Sequence, residues 1–271
     1  MVINSAHAGN PESEPHIEFV DSHCHFDFAA FDVDRDAIWQ ACVEQGVAAM
    51  VVPGVEPQQW KVAAQLSEQH AGIFYAVGIH PWWINISHLE LTYKYLHENL
   101  AAPKCVAVGE CGLDAMIETP LAEQVKILNV HLQAASELSL PLIIHCRKAH
   151  NELLIELKKF SLPAGGVIHA FSGSIELAAA YWALGFRLGV GGTITYERAQ
   201  KTRETVKKLP IEAMLLETDA PDMPLHGQQG QRNSPLNIPL VAQALADIRG
   251  ESVEYIAQQT TQNARRLFGF S

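Results

Sequence analysis

The stretch Phe19-Val-Asp-Ser-His-Cys-His25 begins with apolar residues and ends with Asp21, His23 and His25 at alternate positions. A short apolar run of this kind, closed by polar side chains, reads as a buried strand. Seven similar runs follow at 49–55, 74–80, 105–110, 141–146, 166–171, 187–192 and 214–218, with starts 21 to 36 residues apart. That spacing accommodates a strand plus a crossover helix. Between the runs, Asp34 can cap a helix over 35–45 that Gly46 stops, and Pro57 suits the first turn of one over 58–69. Val125, Leu128, Leu132, Ala135 and Leu138 make one apolar stripe between 121 and 138. Segments 175–184 and 196–209 fill the later gaps, and 235–249 and 252–268 read as terminal helices that cover a barrel. Eight buried strands alternating with helices in about 250 residues predict an α/β fold of the (β/α)8 TIM-barrel type. The competing arrangement is a doubly wound open sheet. No Gly-x-Gly-x-x-Gly follows the first run, which weakens a dinucleotide-binding version of it.

Composition narrows the function classes. With 271 residues, 48% hydrophobic and 18% charged, the chain can bury one large core, and disordered, collagenous and disulfide-scaffold classes are excluded. Its 19 Lys+Arg against 30 Asp+Glu give −11, so no long-range positive field draws in duplex nucleic acid or anionic lipid. Phosphates must therefore be handled by local groups or metal ions. Five cysteines without a CxxC pair suit free thiols in a reducing, cytoplasmic compartment. Residues 1–16 are polar and lack a secretory leader's basic start and apolar stretch, so they are expected to form a flexible extension ahead of one domain over 17–271. No run is long enough to span a membrane, and no obligate protein partner is indicated.

The polar residues at the strand ends carry the chemistry. The first run ends in His23 and His25, the fourth in Glu110, the fifth reaches His145, the sixth His169, and the eighth delivers Asp219. In a barrel all strand C-termini open onto one face, so residues remote in sequence converge there. Strand alternation points His23 and His25 the same way and turns Cys24, Cys111 and Cys146 away. Four imidazoles and two carboxylates form a mixed donor set for a divalent ion such as Zn²⁺, Mn²⁺ or Co²⁺. Six donors exceed what one tetrahedral zinc uses, so a pair of cations about 3.5–4 Å apart, bridged by Glu110, is expected.

Asp21 lies two residues before His23, and Glu217 two before Asp219, so both should point inward one layer deeper. An imidazole N–H is the expected donor to each carboxylate; other backbone or side-chain donors are the alternative. Arg147 should face the mouth, either to grip a phosphate or to pair with Asp114. His80 is expected near the metals without binding them. Trp82 and Trp83 can stack on bases or pack against the rim. Gly189, Gly191 and Gly192 can serve phosphate binding or close packing. The run Arg198, Lys201, Arg203, Lys207 and Lys208 is a nucleic-acid contact or a solvated helix face.

These segments, with Asp21–Asp27, Gly78–Pro81, Val108–Asp114, Pro141–Arg147, His169–Gly173 and Leu216–Pro221 in that order, resemble the TatD-type metal-dependent hydrolases. Gly191–Arg203 and Thr218–Pro224 look similar to a YjjV-like branch of that family. The resemblance implies a TIM-barrel metallohydrolase that cleaves ester bonds, with deoxyribonuclease activity among its members. It also implies His23, His25, Glu110, His145, His169 and Asp219 as ligands of divalent cations, two per chain, of Zn, Mg or Mn type. Ala115-Met116 stands where many members have an aromatic residue, and 226–234 is unusually rich in Gln and Gly. Both departures fall in loops expected at the mouth and bear on the substrate.

The expected chemistry is attack by a metal-activated water, with Asp219 as general base and Glu110 bridging. The expected substrate is DNA, as single strands or accessible ends. A small phosphoester, amide or carboxylic ester is the alternative, and a non-catalytic metal-binding barrel is a third reading.

Overall fold

A computed structural model describes residues 17–85 and 89–270. Eight parallel strands form one sheet in the order β1 to β8: β1 Phe19–Asp21, β2 Val47–Val52, β3 Ile73–Val77, β4 Cys105–Asp114, β5 Leu142–Arg147, β6 Gly166–Ile168, β7 Phe186–Val190 and β8 Met214–Leu216. The Ser22 N–H donates to the Leu216 carbonyl at 2.9 Å, so the last strand closes on the first. The fold is a TIM barrel, and the open-sheet alternative is excluded. The expected extension over 1–16 lies outside the described residues. Among the described residues, no helix is long and apolar enough to cross a membrane.

The helices are α1 Arg35–Glu44, α2 Pro57–Gln69, α3 Leu89–Leu100, α4 Leu121–Leu138, α5 His150–Leu157, α6 Ile175–Ala183, α7 Gln200–Lys208, α8 Ile238–Arg249 and α9 Val253–Phe268. Small and branched side chains fill the barrel: Val20, Ala49, Val51, Ala76, Ala107, Ile143, Val167 and Leu215 form one buried cluster. Ala264, Leu267 and Phe268 of α9 join that cluster with Phe270, so the last helix plugs the end of the barrel remote from the strand C-termini. The strands' other faces pack against the helices in a larger apolar layer that includes Cys24, Cys111 and Trp60.

Two local expectations fail. Asp34 precedes α1 without capping it. Its carboxylate is taken by the Arg232 guanidinium, at 2.9 and 2.6 Å, which ties the segment after β8 to the one after β1. β4 does not stop at Glu110 but runs on to Asp114, with a register shift between Gly109 and Cys111 against β5. Such a bulge redirects a side chain without ending the ladder.

Candidate metal centre

Seven sequence-predicted residues meet at the C-terminal mouth of the barrel. Beyond the short β1, His23 and His25 still face one way, their Nε2 atoms 3.3 Å apart. Glu110, at the bulge in β4, presents one carboxylate oxygen to each side. Oε2 lies 3.3 Å from His23 Nε2 and 3.5 Å from His25 Nε2. Oε1 lies 2.8 Å from His169 Nε2, 3.3 Å from His145 Nδ1 and 3.5 Å from His80 Nε2. Asp219 Oδ1 is 3.4 Å from His23 Nε2 and 3.7 Å from His25 Nε2. Cys24 and Cys111 turn to the outer apolar layer, and Cys146 packs against it.

Donors about 2.0–2.2 Å from a shared tetrahedral ion stand roughly 3.3–3.6 Å from one another. The separations around His23, His25, Glu110 Oε2 and Asp219 Oδ1 fall at or close to that spacing. Three donor groups could each hold an ion: His23, His25 and Glu110; His23, His169 and Asp219; and His80, Glu110 and His145. Burial matters too, because Glu110 is 1% exposed and its Oε2 has no hydrogen-bond partner. A buried carboxylate oxygen left in that condition is costly without a compensating cation.

The electrostatics follow the same pattern. Burial pushes the imidazole of His23 down to about 4 and those of His25 and His80 to about 3, so all three rings are neutral. Burial acts in the same direction on His169, but Glu110 overcomes it and lifts that ring to about 10. Burial alone would raise Glu110, yet the imidazoles of His169, His80 and His23 hold it well below the usual carboxylate range. Asp219 is pushed well above that range by burial, with Glu110 and Glu217 adding to the rise.

His80 resolves by tautomer. Its Nδ1 accepts the Trp82 backbone N–H at 3.2 Å, so Nε2 carries the proton and points at Glu110. In that form the ring offers Nε2–H to the Glu110 carboxylate.

The inward carboxylates correct the expectation of imidazole donors. Asp21 accepts from the Thr218 N–H at 3.0 Å, the Thr218 hydroxyl at 2.6 Å and the His23 N–H at 3.3 Å. Glu217 Oε1 accepts the Ala170 N–H at 2.5 Å, and Oε2 has no partner. Burial pushes both acids up to about 7. Thr218 carries no donor role in the sequence reading, although a threonine between two acids in Leu216-Glu-Thr-Asp219 is a local clue to a paired donor. Asn233 was also missed: fully buried, it donates to the Thr218 and Met223 carbonyls at 2.8 and 3.2 Å and clamps the loop that carries Asp219. Nothing in the local pattern marks it.

Asp114 is buried, and its carboxylate takes the Trp82 indole N–H at 3.0 Å and the Met116 N–H at 2.8 Å while facing His145 Nε2 at 3.4 Å. The anticipated pairing with Arg147 is therefore absent among the described residues; Arg147 is exposed at the end of β5. The glycines in and just after β7 follow the close-packing alternative, since a Cβ at Gly189 would meet the Glu217 carboxylate and one at Gly192 the Met223 carbonyl. The basic run around α7 divides. Arg203 donates to the Ile194 carbonyl and Arg198 lies over the Tyr196 ring, whereas Lys208 makes a surface pair with Glu204.

Residues 20–269 match the family described as TatD related DNase. The chain belongs to the TatD family. It is 41% identical over 253 residues to the uncharacterized metal-dependent hydrolase YjjV of Escherichia coli, covering 92% of this chain and 97% of that one. It is 36% identical over 248 residues to a protein of Erwinia amylovora named as the 3'-5' ssDNA/RNA exonuclease TatD, covering 88% and 95%. The crystal structure of E. coli YjjV superimposes with a TM-score of 0.88 at 40% identity, over 94% of this chain and 99% of that one. Like these TatD relatives, the chain is a metal-dependent hydrolase.

Proposed function

We propose that this TatD-family hydrolase cleaves phosphodiester bonds at the accessible ends of single-stranded nucleic acid. The observation that carries the reading is the divided carboxylate of Glu110, one oxygen facing His23 and His25 and the other facing His145 and His169. Glu110, with His23, His25 and Asp219 on one side and His145 and His169 on the other, would hold a pair of divalent cations. Bound there, the cations supply Lewis acidity to a phosphoryl oxygen and acidity to a water molecule. Relatives named as ssDNA/RNA exonucleases favour a nucleic-acid substrate.

The protein's own residues divide the remaining work. Asp219 is the partly exposed carboxylate of the cluster, and at the mouth it accepts the proton of the attacking water. Its left-handed backbone, φ 55°, is fixed by an N–H bond to the His23 carbonyl at 2.9 Å, so the carboxylate is aimed before substrate arrives. His80 offers Nε2–H to charge developing on an oxygen beside Glu110. Arg147, free at the rim, is available to a phosphate further along the strand.

The test uses metal-reconstituted protein on end-labelled single-stranded DNA and on a panel of small phosphoesters, amides and carboxylic esters. Asp219→Asn should abolish turnover while retaining most of the bound metal, and His145→Ala should lose both. Cleavage at wild-type rate by Asp219→Asn removes its assigned role. Turnover confined to the small esters replaces the nuclease reading.

A further inference from the structure

We infer that Trp82 and Trp83 form a stacking platform for an unpaired nucleobase of the strand being cut, an inference that rests on the nuclease reading above. Trp82 is 57% and Trp83 39% exposed, whereas Trp39 and Trp60 are 8% and 4% exposed. Packing against the rim therefore does not account for the pair, which leaves broad apolar faces in water where burial would be favourable.

These faces are nevertheless held in place. Pro81–Trp83 is a 3-10 turn that begins at His80 and fixes the backbone of both residues. The Trp82 backbone N–H donates to His80 Nδ1, and its indole N–H donates to Asp114 Oδ2 at 3.0 Å. A half-exposed ring pinned at both ends loses little further freedom when a flat ligand settles on it. The two indoles stand 6.0 Å apart and tilted by 32°, so they touch each other, and a base is received on an outer face and not between them.

The platform is joined to the cluster by direct contacts. His80 packs edge-on to Trp82 at 5.3 Å, to Trp83 at 5.4 Å and to His145 at 4.4 Å. The carboxylate that holds the Trp82 indole also faces His145 Nε2 at 3.4 Å. A base lying on the indole is thus received one residue away from the cluster, beside His80 and His145. The chemistry also suits the net charge of −11, since stacking captures a nucleic acid without a positive field. Stacking tolerates every base, so the platform discriminates base from no base and unpaired from paired.

The experiment compares wild type, Trp82→Ala, Trp82→Phe and Trp83→Ala on single-stranded oligonucleotides with a natural or an abasic residue at the position next to the cut. Stacking on an aromatic side chain is worth between about 5-fold and about 150-fold per base. Trp82→Ala should raise KM by that factor with little change in kcat, and Trp82→Phe should recover most of it. Because both variants lose the indole N–H to Asp114, their difference isolates the ring. Wild type should lose the same factor on the abasic strand, and Trp82→Ala should be indifferent to the lesion.

A binding arm separates this inference from the nuclease reading. Tryptophan fluorescence of wild type is titrated with a phosphorothioate oligothymidylate and with an abasic strand of equal length. Quenching by the first alone supports the platform even where no cleavage is seen. Equal response to both strands, or an abasic penalty unchanged in Trp82→Ala, overturns it.

Discussion

Adding one methyl group at Gly189 should disable the support behind His169. The Cβ of Gly189→Ala would stand 2.0 Å from Glu217 Oε2, 2.5 Å from Cδ and 2.9 Å from Oε1, so the whole carboxyl group is in the way. Ordinary contact distances of about 3.5 Å require it to move by more than about 1 Å. That movement breaks the 2.5 Å bond from the Ala170 N–H, whose residue follows His169 directly and holds a left-handed backbone at φ 44°. A buried N–H left without a partner costs about 1–3 kcal/mol, and overpacking typically about 1–3 more. The expected loss is therefore about 2–6 kcal/mol, or roughly 4–20 °C in Tm for a chain of this size. Thermal and urea unfolding followed by circular dichroism measure it, and metal analysis reports whether His169 has lost its place. The decisive comparison is with Glu217→Ala, which removes the obstructing group. In that background the added methyl occupies vacated space and should cost less than about 1 kcal/mol. An equal cost in both backgrounds, or full stability of Gly189→Ala alone, would refute the reasoning.

Two other consequences are open to measurement. His131 is fully buried, accepts the Ile79 N–H at 2.9 Å on Nε2 and donates to the Ile127 carbonyl at 2.8 Å, and burial lowers its pKa to about 4. The unfolded chain binds the proton near 6.5, so this contribution is complete above that pH and is lost as pH falls toward 4, to about 3 kcal/mol in all. Urea midpoints for His131→Gln should be lower at pH 7.5 but fall less steeply between pH 6.5 and 4; parallel slopes would remove the assignment. Four of the five free thiols are buried, and burial pushes those of Cys42, Cys105 and Cys146 up to about 12. A disulfide reagent should therefore titrate at most one thiol rapidly in the native protein, the half-buried Cys146, and all five in guanidinium; two fast native thiols would contradict the packing.

Much of the barrel was legible because parallel strands buried on both faces must be short apolar runs, and each needs a helix to return the chain. The boundaries were less legible. The run at 19–25 contains only three strand residues, because after Asp21 the backbone bonds no longer form a regular ladder: Cys24 N–H donates to the Val51 carbonyl of β2 at 3.2 Å, and His25 N–H to the Ala220 carbonyl beyond β8 at 2.8 Å. Glu110 was found as an inward acid, but the bulge that aims it depends on pairing with β5 and leaves no trace in local periodicity. The convergence of His23, His25, Glu110, His145, His169 and Asp219 followed from strand polarity alone. What held the supporting acids did not, since Asp21 is served by Thr218 from the opposite end of the chain. Asp34 shows the same limit. A textual cap signal was outcompeted by Arg232, nearly two hundred positions away.

An acidic chain and the polyanionic substrate proposed for it would conflict, and the site's layout bears on that conflict. Nearly every carboxylate that matters here is withdrawn from solvent: Asp21, Asp114 and Glu217 are fully buried and Glu110 is 1% exposed. Whatever negative charge they carry is thereby directed inward, where it favours divalent cations, and little of it faces outward. The rim presents a different surface, with the indoles of Trp82 and Trp83, the side chain of Met116 and the free guanidinium of Arg147 exposed. A nucleic acid would thus be held by its bases and one or two local charges, and its phosphate would meet the acids only through the cations between them. Strong attraction at long range would serve the proposed activity poorly, since a strand bound along its length would still have to leave the site after cleavage.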